Sequence, residues 1–296
     1  MQGLLSETAG LVTFVRTVQT GSFSAAAKSL GATPSSASKR VSRLEVLLGA
    51  KLFRRSTRVL TLTPEGEAFY ERVMPLLREI ESSTDVVQSH GATSGHLRVS
   101  LPGEMGRLLL GPIFSNFMQA YPGISLEIGM TDRHVDILRD NYDIAFRVGH
   151  SDHNGLMSKT LSHLDMVLVA APSLIERYGK VEETAKLREL PFARYSVQGR
   201  PYPVRFADGI EILPRGRLDL DSATAIKEAA KLGLGVAHVL KRIVQKDIDD
   251  GSLAVLLPNC ELEKLPFRAL HAFGRMPNLR MQLLTDFVTN FIRASA

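Results

Sequence analysis

Along the first sixty residues, apolar positions recur three times at helical spacing and then change period. Leu11, Phe14, Val15 and Val18 stand at i, i+3, i+4 and i+7, which predicts an amphipathic helix ending near Gly21. In "SFSAAAKSLGAT", Ser24 is placed to cap a second helix with a narrow apolar side of Ala26, Ala27 and Leu30, closed by Gly31. Such small side chains let another helix come close. A third helix opens on Thr33 as cap, with Pro34 at the first helical position, where a missing N–H costs nothing. Its buried stripe is Ala37, Val41, Leu44 and Leu48; Ser35, Ser36, Lys39, Ser42 and Arg43 lie opposite. "KLFRRSTRVLTLT" then offers Leu52 and Phe53 to a core and strand formers from Val59 to Leu62, a short hairpin carrying Arg54, Arg55 and Arg58.

Thr63-Pro64-Glu65 repeats the cap, proline and acidic first turn of a helix start. Phe69, Val73, Leu76, Ile80 and Val87 follow at heptad-like steps, an apolar seam that one helix cannot bury alone. A partner helix in a second copy is expected, with packing onto the chain's own body as the alternative. Pro75 should kink this helix. Residues 88–96, "QSHGATSGH", read as a polar hinge. Beyond it the texture changes. Leu97, Val99, Leu101 and Ile124, Leu126, Ile128 alternate, and "YDIAFRVG", "DMVLVAAP", "RLDL", "LGVAHV" and "LAVLL" are further short strands between helices. This alternation predicts an α/β body with a largely parallel sheet, and ligand clefts in such folds lie beyond the carboxyl ends of the strands.

Charge divides the chain at the same place. Residues 1–63 hold nine basic side chains against Glu7 and Glu45, so the overall +5 leaves the remainder at −2. A basic head on a nearly neutral body suggests a polyanion for the head alone. The outer face of the third helix has no carboxylate before Glu45 at its flank, whereas solvated helices usually mix both signs. Short helix, turn, longer cationic helix is the order of a helix-turn-helix, whose second member enters the DNA major groove. The arginine hairpin beside it is placed as a wing on phosphates or in a minor groove. A basic hairpin that binds nothing is the alternative that periodicity alone leaves open.

The stretch "FVRTVQTGSFSAAAKSLGATPSSASKRVSRLEVLLGAKLFRRSTRVLTLTPEG" resembles the N-terminal winged helix-turn-helix of LysR-type transcriptional regulators. The features that carry the likeness are Phe23, Ala26-Ala27, Leu30, Arg43-Leu44-Glu45, Leu48-Gly49, Leu52-Phe53, Arg55, Arg58 and Leu62-Thr63 with Gly66. The resemblance implies that double-stranded DNA is met by Ser24, Thr33, Pro34, Ser35, Ser36, Ser38, Lys39, Arg43, Arg54, Arg55 and Arg58. Pro34 stands where the family commonly has a base-reading glutamine, and Ser36 where it usually has alanine. The helix carrying Phe69, Val73, Leu76, Ile80 and Val87 would be the dimer coil of a homodimer, extended to a homotetramer, with RNA polymerase a further partner at promoters.

"LRVSLPGEMGRLLLGPIFSNFMQAYPGISLEI", "DILRDNYDIAFRVG" and "DSATAIKEAAKLGLGVAHV" resemble landmarks of the effector domain of the same family, two Rossmann-like lobes of periplasmic-binding-protein type. The implied division is a DNA-binding domain over 1–63, a linker helix over 64–90, a hinge over 91–96 and an effector domain over 97–296. Its first lobe would span 97–163 and 268–296, the second 166–267. A small-molecule effector would lie among Ser100, Pro102, Gly103, Glu104, Met105, Thr131, Phe146, Arg147, Ser222, Ala223 and Thr224. The family often has serine or threonine in place of Glu104. Its carboxylate either turns outward as a first-turn helix acid or recognises a cationic or hydroxyl-rich effector.

Other chemistries find little footing. His150 and His153 in "HSDH" lack a third ligand and read as a loop. "GLGVAH" has two glycines of a dinucleotide fingerprint and reads as a turn. No serine lies in G-x-S-x-G, and Cys260 is the only cysteine, so neither a disulfide nor a thiolate metal site is available within the chain. No cofactor, metal or enzyme activity is expected. The longest apolar runs are too short to cross a bilayer, and the N-terminus lacks the order of a secretory signal, so a cytoplasmic protein is expected. The reading from another class is a solute-binding or enzymatic α/β domain whose basic head serves only assembly.

Overall fold

The computed structural model describes residues 3–55, 60–82, 93–132, 136–137, 139–150, 156–197, 199–272 and 278–294. A short 3-10 turn, Leu4–Glu7, leads into α1 (Thr8–Thr20), followed by α2 (Phe23–Ser29) and α3 (Pro34–Leu48). Gly21 ends α1 at φ +70 and Gly49 ends α3 at φ +66, left-handed positions that glycine takes without steric cost. The cap of α2 is Ser22, whose hydroxyl accepts from Ala25 N at 3.0 Å; Ser24, the expected cap, lies inside the first turn and is exposed. An extended residue is needed at the cap, and Ser22 has that backbone (φ −154). Ala26, Ala27 and Ala37 are wholly buried where α2 and α3 approach each other.

The hairpin follows as β1 (Phe53–Arg55) and β2 (Leu60–Leu62), antiparallel with Phe53 opposite Leu62. Then α4 (Pro64–Ser82) runs through Pro75 as one helix. Phe14 is the hub of this head, with Phe53, Phe69 and Tyr70 rings at 5.5, 5.6 and 6.3 Å. Gly66 fits against the wing only because it has no side chain; a Cβ there would overlap the Leu52 carbonyl. The expected seam of α4 divides at this core. Phe69, half-buried, and Val73, buried, pack inward with Tyr70, Met74 and Leu77 in the head's own core. Leu76 and Ile80 are exposed at 52% and 60%, and Val87 lies outside the described residues.

Two sheets form the body. The first orders β4 (Ile124–Met130), β3 (Gly95–Leu101), β5 (Ile144–Val148), β15 (Leu265–His271) and β6 (Met157–Leu164). The second orders β12 (Leu218–Leu220), β8 (Phe192–Val197), β13 (Val236–Leu240), β7 (Met166–Ala170) and β14 (Ala254–Leu256), with β9 (Arg200–Pro201) beside β8. A small pair, β10 (Val204–Arg205) and β11 (Glu211–Ile212), flanks it. These sheets are mixed, not largely parallel. β3 runs parallel to β4 and β5, and β8 to β12 and β13, while β15 and β7 pair antiparallel with their neighbours. The reason is that the chain crosses between lobes twice, and the returning strand runs against the outgoing one.

Both crossings lie side by side. The first is at Asp165, between β6 and β7. The second comes before Leu265, which already pairs with Leu164, so residues 265–267 belong to lobe one and not to the second lobe. Lys264 bridges to Asp165 at 3.0 Å across the pair. The hinge also ends sooner than expected: Gly95 and His96 are the first residues of β3, registered on Ile124 and Ser125.

Helices cover the sheets: α5 (Gly103–Pro112), which continues through a π turn at Ile113–Phe117, then α6 (Pro172–Tyr178), α7 (Ala223–Lys231), α8 (Lys241–Asp249) and α9 (Leu279–Ala294). Met281, Leu284, Val288 and Ile292 set one stripe of α9 into the lobe-one core with Phe117, Phe146 and Phe267. Lobe two fills its sheet faces separately, with Phe192 and Val236 on one and Ile226, Ala230 and Val244 on the other.

Candidate DNA-reading surface and effector cleft

On α3 the periodicity becomes a surface. Ala37, Val41 and Leu44 are buried, while Thr33, Pro34, Ser35, Lys39 and Arg43 are exposed, and Ser36 and Ser38 are half-buried beside them. The Thr33 hydroxyl accepts from Ser36 N at 3.3 Å and lies 3.2 Å from Ser35 Oγ, which fixes the first turn. Ser24 of α2 and Arg54 of β1 are exposed as well; for Arg55 only the backbone is described, and Arg58 lies outside the described residues.

Glu45 is the carboxylate of α3 at the edge of this face, and it turns away from it. Its side chain is 3% exposed and accepts from Lys51 Nζ at 2.7 Å, Leu52 N at 2.9 Å and Phe53 N at 3.4 Å. Burial alone would raise its pKa, but these donors outweigh it and hold the carboxyl below its ordinary value. Glu45 therefore ties α3 to the wing, and the carboxylate left beside the outer face is Glu7, which lines a hollow with Lys39, Ser42 and Arg43. The sequence hint is the pair Glu45 and Lys51 flanking the Gly49 turn.

The second site lies between the lobes. A cavity of about 260 Å³ is lined from lobe one by Pro102, Glu104, Met105, Asp132, Arg147 and Leu265, and from lobe two by Met166, Tyr195, Tyr202, Ala223, Ile226, His238 and Ile243. A second hollow, which shares Asp132 with it, is lined by Gly103, Arg107, Thr131, Asp221, Ser222 and Thr224. Of the expected residues, Pro102, Glu104, Met105, Arg147 and Ala223 line the cavity, and Gly103, Thr131, Ser222 and Thr224 line the second hollow. Two reach neither. Phe146 is wholly buried and stacks on Phe267 at 5.9 Å, because alternate residues of β5 face opposite ways. Ser100 is also wholly buried; its hydroxyl accepts from Arg147 Nη2 at 2.7 Å and so positions the arginine from behind.

Arg147 donates through Nη1 to the Phe146 carbonyl at 2.6 Å. Burial lowers its pKa to about 10 and the charge of Asp132 acts against that, so it stays a cation. Asp132 in turn accepts from Gly103 N at 2.7 Å. Tyr195 is pushed up to about 12, first by burial and then by Asp132 and Asp221, and is neutral. His238 is pushed down to about 4 by burial and is neutral too, with Nε2 lacking a hydrogen-bond partner among the described residues. Glu104 faces the cleft: its Oε1 accepts the Thr224 hydroxyl from the other lobe, with Arg107 Nε at 3.4 Å. Asp132, Tyr195, Tyr202 and His238 escaped the sequence reading, since no local motif marks a residue that becomes a wall only when two lobes meet.

Among the described residues no group of His, Cys, Asp and Glu is arranged to hold a metal ion, and no helix is long and apolar enough to cross a membrane. His150 lies 3.5 Å from Glu263, whereas His153 is outside the described residues.

Known proteins match both parts. The family described as "Bacterial regulatory helix-turn-helix protein, lysR family" matches residues 9–67, and "LysR substrate binding domain" matches 90–293. The transcriptional regulator CrgA of Neisseria meningitidis serogroup C is 31% identical, over 94% of this chain and 94% of its own. The solved structure of CrgA from Neisseria meningitidis, a LysR-type transcriptional regulator, is 28% identical with a TM-score of 0.60, covering 96% of this chain and 98% of that one. Full-length AphB, a virulence activator of Vibrio cholerae, is 25% identical with a TM-score of 0.58, covering 95% and 98%. With head and body each matched along its length, the chain belongs to the LysR-type transcriptional regulators, binding DNA through its N-terminal helix-turn-helix and carrying an effector-binding domain behind it.

Proposed function

We propose that this regulator reads its operator with the exposed face of α3, Ser35, Lys39 and Arg43 foremost, with Thr33, Pro34, Ser36 and Ser38 at the reading end. Ser24 and Arg54 add backbone contacts from either side. The observation that carries this is that α3 itself presents only cations and hydroxyls there once Glu45 turns inward to the wing, Glu7 of the turn before α1 being the carboxylate that lines the hollow beside Lys39 and Arg43. Cations and hydroxyls alone suit phosphates and base edges.

In the same proposal, the effector enters the cavity between the lobes and shifts their relative angle. Such a shift requires that it bind one arrangement more tightly than the other. Leu76 and Ile80, exposed beyond the head core, support a dimer coil, and two heads on two half-sites gain affinity together. The complex works in the cytoplasm beside its DNA. Operator binding measured across salt concentrations tests the reading. The logarithm of affinity should fall linearly with that of salt, and an affinity that ignores salt would sink it. Mapping bound sites genome-wide then locates the operator.

A further inference from the structure

The two lobes are joined at the cleft by a carboxylate of the protein itself. Glu104, in the first turn of α5, accepts the hydroxyl of Thr224, in the first turn of α7. Its side chain is 11% exposed. The start of a helix favours an anion through its unpaired N–H groups, and Ser222 supplies no side-chain cap to α7. Glu104 thus brings to that point the charge an anionic ligand would bring. A second carboxylate arriving there would meet like charge in a partly dry cleft, where salt screens weakly.

Arg107 Nε, 3.4 Å away, already answers the charge of Glu104, and deeper in the cavity the other cation is engaged as well. Both Nη atoms of Arg147 are engaged, by Phe146 O and Ser100 Oγ, and Asp132 counters its charge. Among the described residues the two carboxylates, Glu104 and Asp132, are thus balanced by Arg107 and Arg147, with apolar surface from Met105, Met166 and Ile226. On the lobe-two side His238 Nε2 is buried and unpartnered.

We propose that Glu104 is an internal stand-in for an anionic effector, so that the cleft takes an uncharged molecule with an apolar body and a hydroxyl placed at His238 Nε2. The proposal rests on the cleft being the effector site. A hydroxyl can both donate and accept, so it satisfies either tautomer of His238. An ammonium group is disfavoured because Arg107 and Arg147 already balance the charges of Glu104 and Asp132.

Matched trios of alcohol, carboxylate and amine, built on benzyl and hexyl bodies, test it by calorimetry on the full chain, with Glu104→Gln and Glu104→Ser beside the wild type. The wild type is expected to bind an alcohol at least about tenfold more tightly than its matched carboxylate. Glu104→Gln keeps the shape and an acceptor for Thr224, and is expected to gain about tenfold in carboxylate affinity. Glu104→Ser should move the same way. A wild-type preference for carboxylate or amine, silence of every alcohol, or an unchanged preference in both variants would overturn the proposal. Operator binding by the same samples is read in parallel. Loss of its salt dependence would count against the regulator reading, whereas intact DNA binding with the wrong charge preference removes only the role given to Glu104.

Discussion

The head and the cleft are both binding surfaces, yet they are built in opposite ways. The proposed reading face of the head is one side of a single helix, so its foremost residues, Ser35, Lys39 and Arg43, lie within about three turns of sequence. The cleft is made by residues far apart, with Glu104 and Thr224 separated by 120 positions. A surface on one element inherits the period of that element; a surface between two lobes has no period. The same contrast governs the charges. The head keeps Lys39 and Arg43 exposed and buries the Glu45 carboxylate, whereas the cleft buries cation and carboxylate together and leaves a histidine neutral.

The sharpest way to break the comparison is to unfold one part and leave the other. Phe14 is the ring hub of the head, and Phe267 lies in lobe one stacked on Phe146. Phe14→Ala and Phe267→Ala should each cost about 3–5 kcal/mol. Calorimetry should show Phe14→Ala lowering one transition and abolishing operator binding with the ligand cleft intact. Phe267→Ala should lower the other. A common shift of both transitions by either variant would show that head and body fold as one unit.

Next in size is the reading face. Lys39→Ala with Arg43→Ala removes two phosphate-reaching cations and no buried atom, so folding should be untouched. Operator affinity should fall roughly a hundredfold at moderate salt, and the salt slope should lose about two. An unchanged slope would move the DNA surface away from α3.

These two tests bear on what the sequence made legible. Ala37, Val41 and Leu44 could be read as buried because helical spacing is a local property, and the cationic face followed as their complement. The wing strand was legible from Leu60 to Leu62 for the same reason. Glu45 was seen only as a flank residue, since its partners Leu52 and Phe53 are backbone donors that no side-chain pattern announces. In the body, five of the positions named from family likeness line the inter-lobe cavity, but strand alternation already argued against pairing Phe146 with Arg147 on one face. Asp132, Tyr195 and His238 were not legible at all. Mixed pairing in both sheets was hidden too, because parallel and antiparallel strands share one period and differ only in where the chain goes between them.

Removing the Glu45 carboxylate asks whether the head's charge arrangement is structural. Glu45→Ala leaves Leu52 N and Phe53 N without their acceptor beneath the wing and should destabilise the head by about 2–3 kcal/mol. With its folded pKa lowered, Glu45 contributes stability above the ordinary carboxylate range and loses it as pH falls through the folded value. The wild-type head should therefore weaken in acid more than the Ala variant does. Equal acid sensitivity in the two would assign that stability elsewhere.

The smallest effect belongs to the cleft and has the opposite cause. His238 is depressed from 6.5 to about 4 by burial alone. Between those values the unfolded chain takes up a proton that the folded chain refuses, so body stability falls as pH drops from 6.5 towards 4 and levels off below. Between pH 7 and pH 5 the loss should be about 1–2 kcal/mol. His238→Gln cannot titrate and should flatten this part of the profile. A hydroxyl ligand at Nε2 would satisfy neutral histidine and deepen the slope, because it binds only the folded, unprotonated form. Glu45 and His238 then separate by pH: body stability declines first, in the histidine window, and the head follows only where carboxylates titrate. A head transition that falls in the histidine window would break the division of labour between the two charge arrangements.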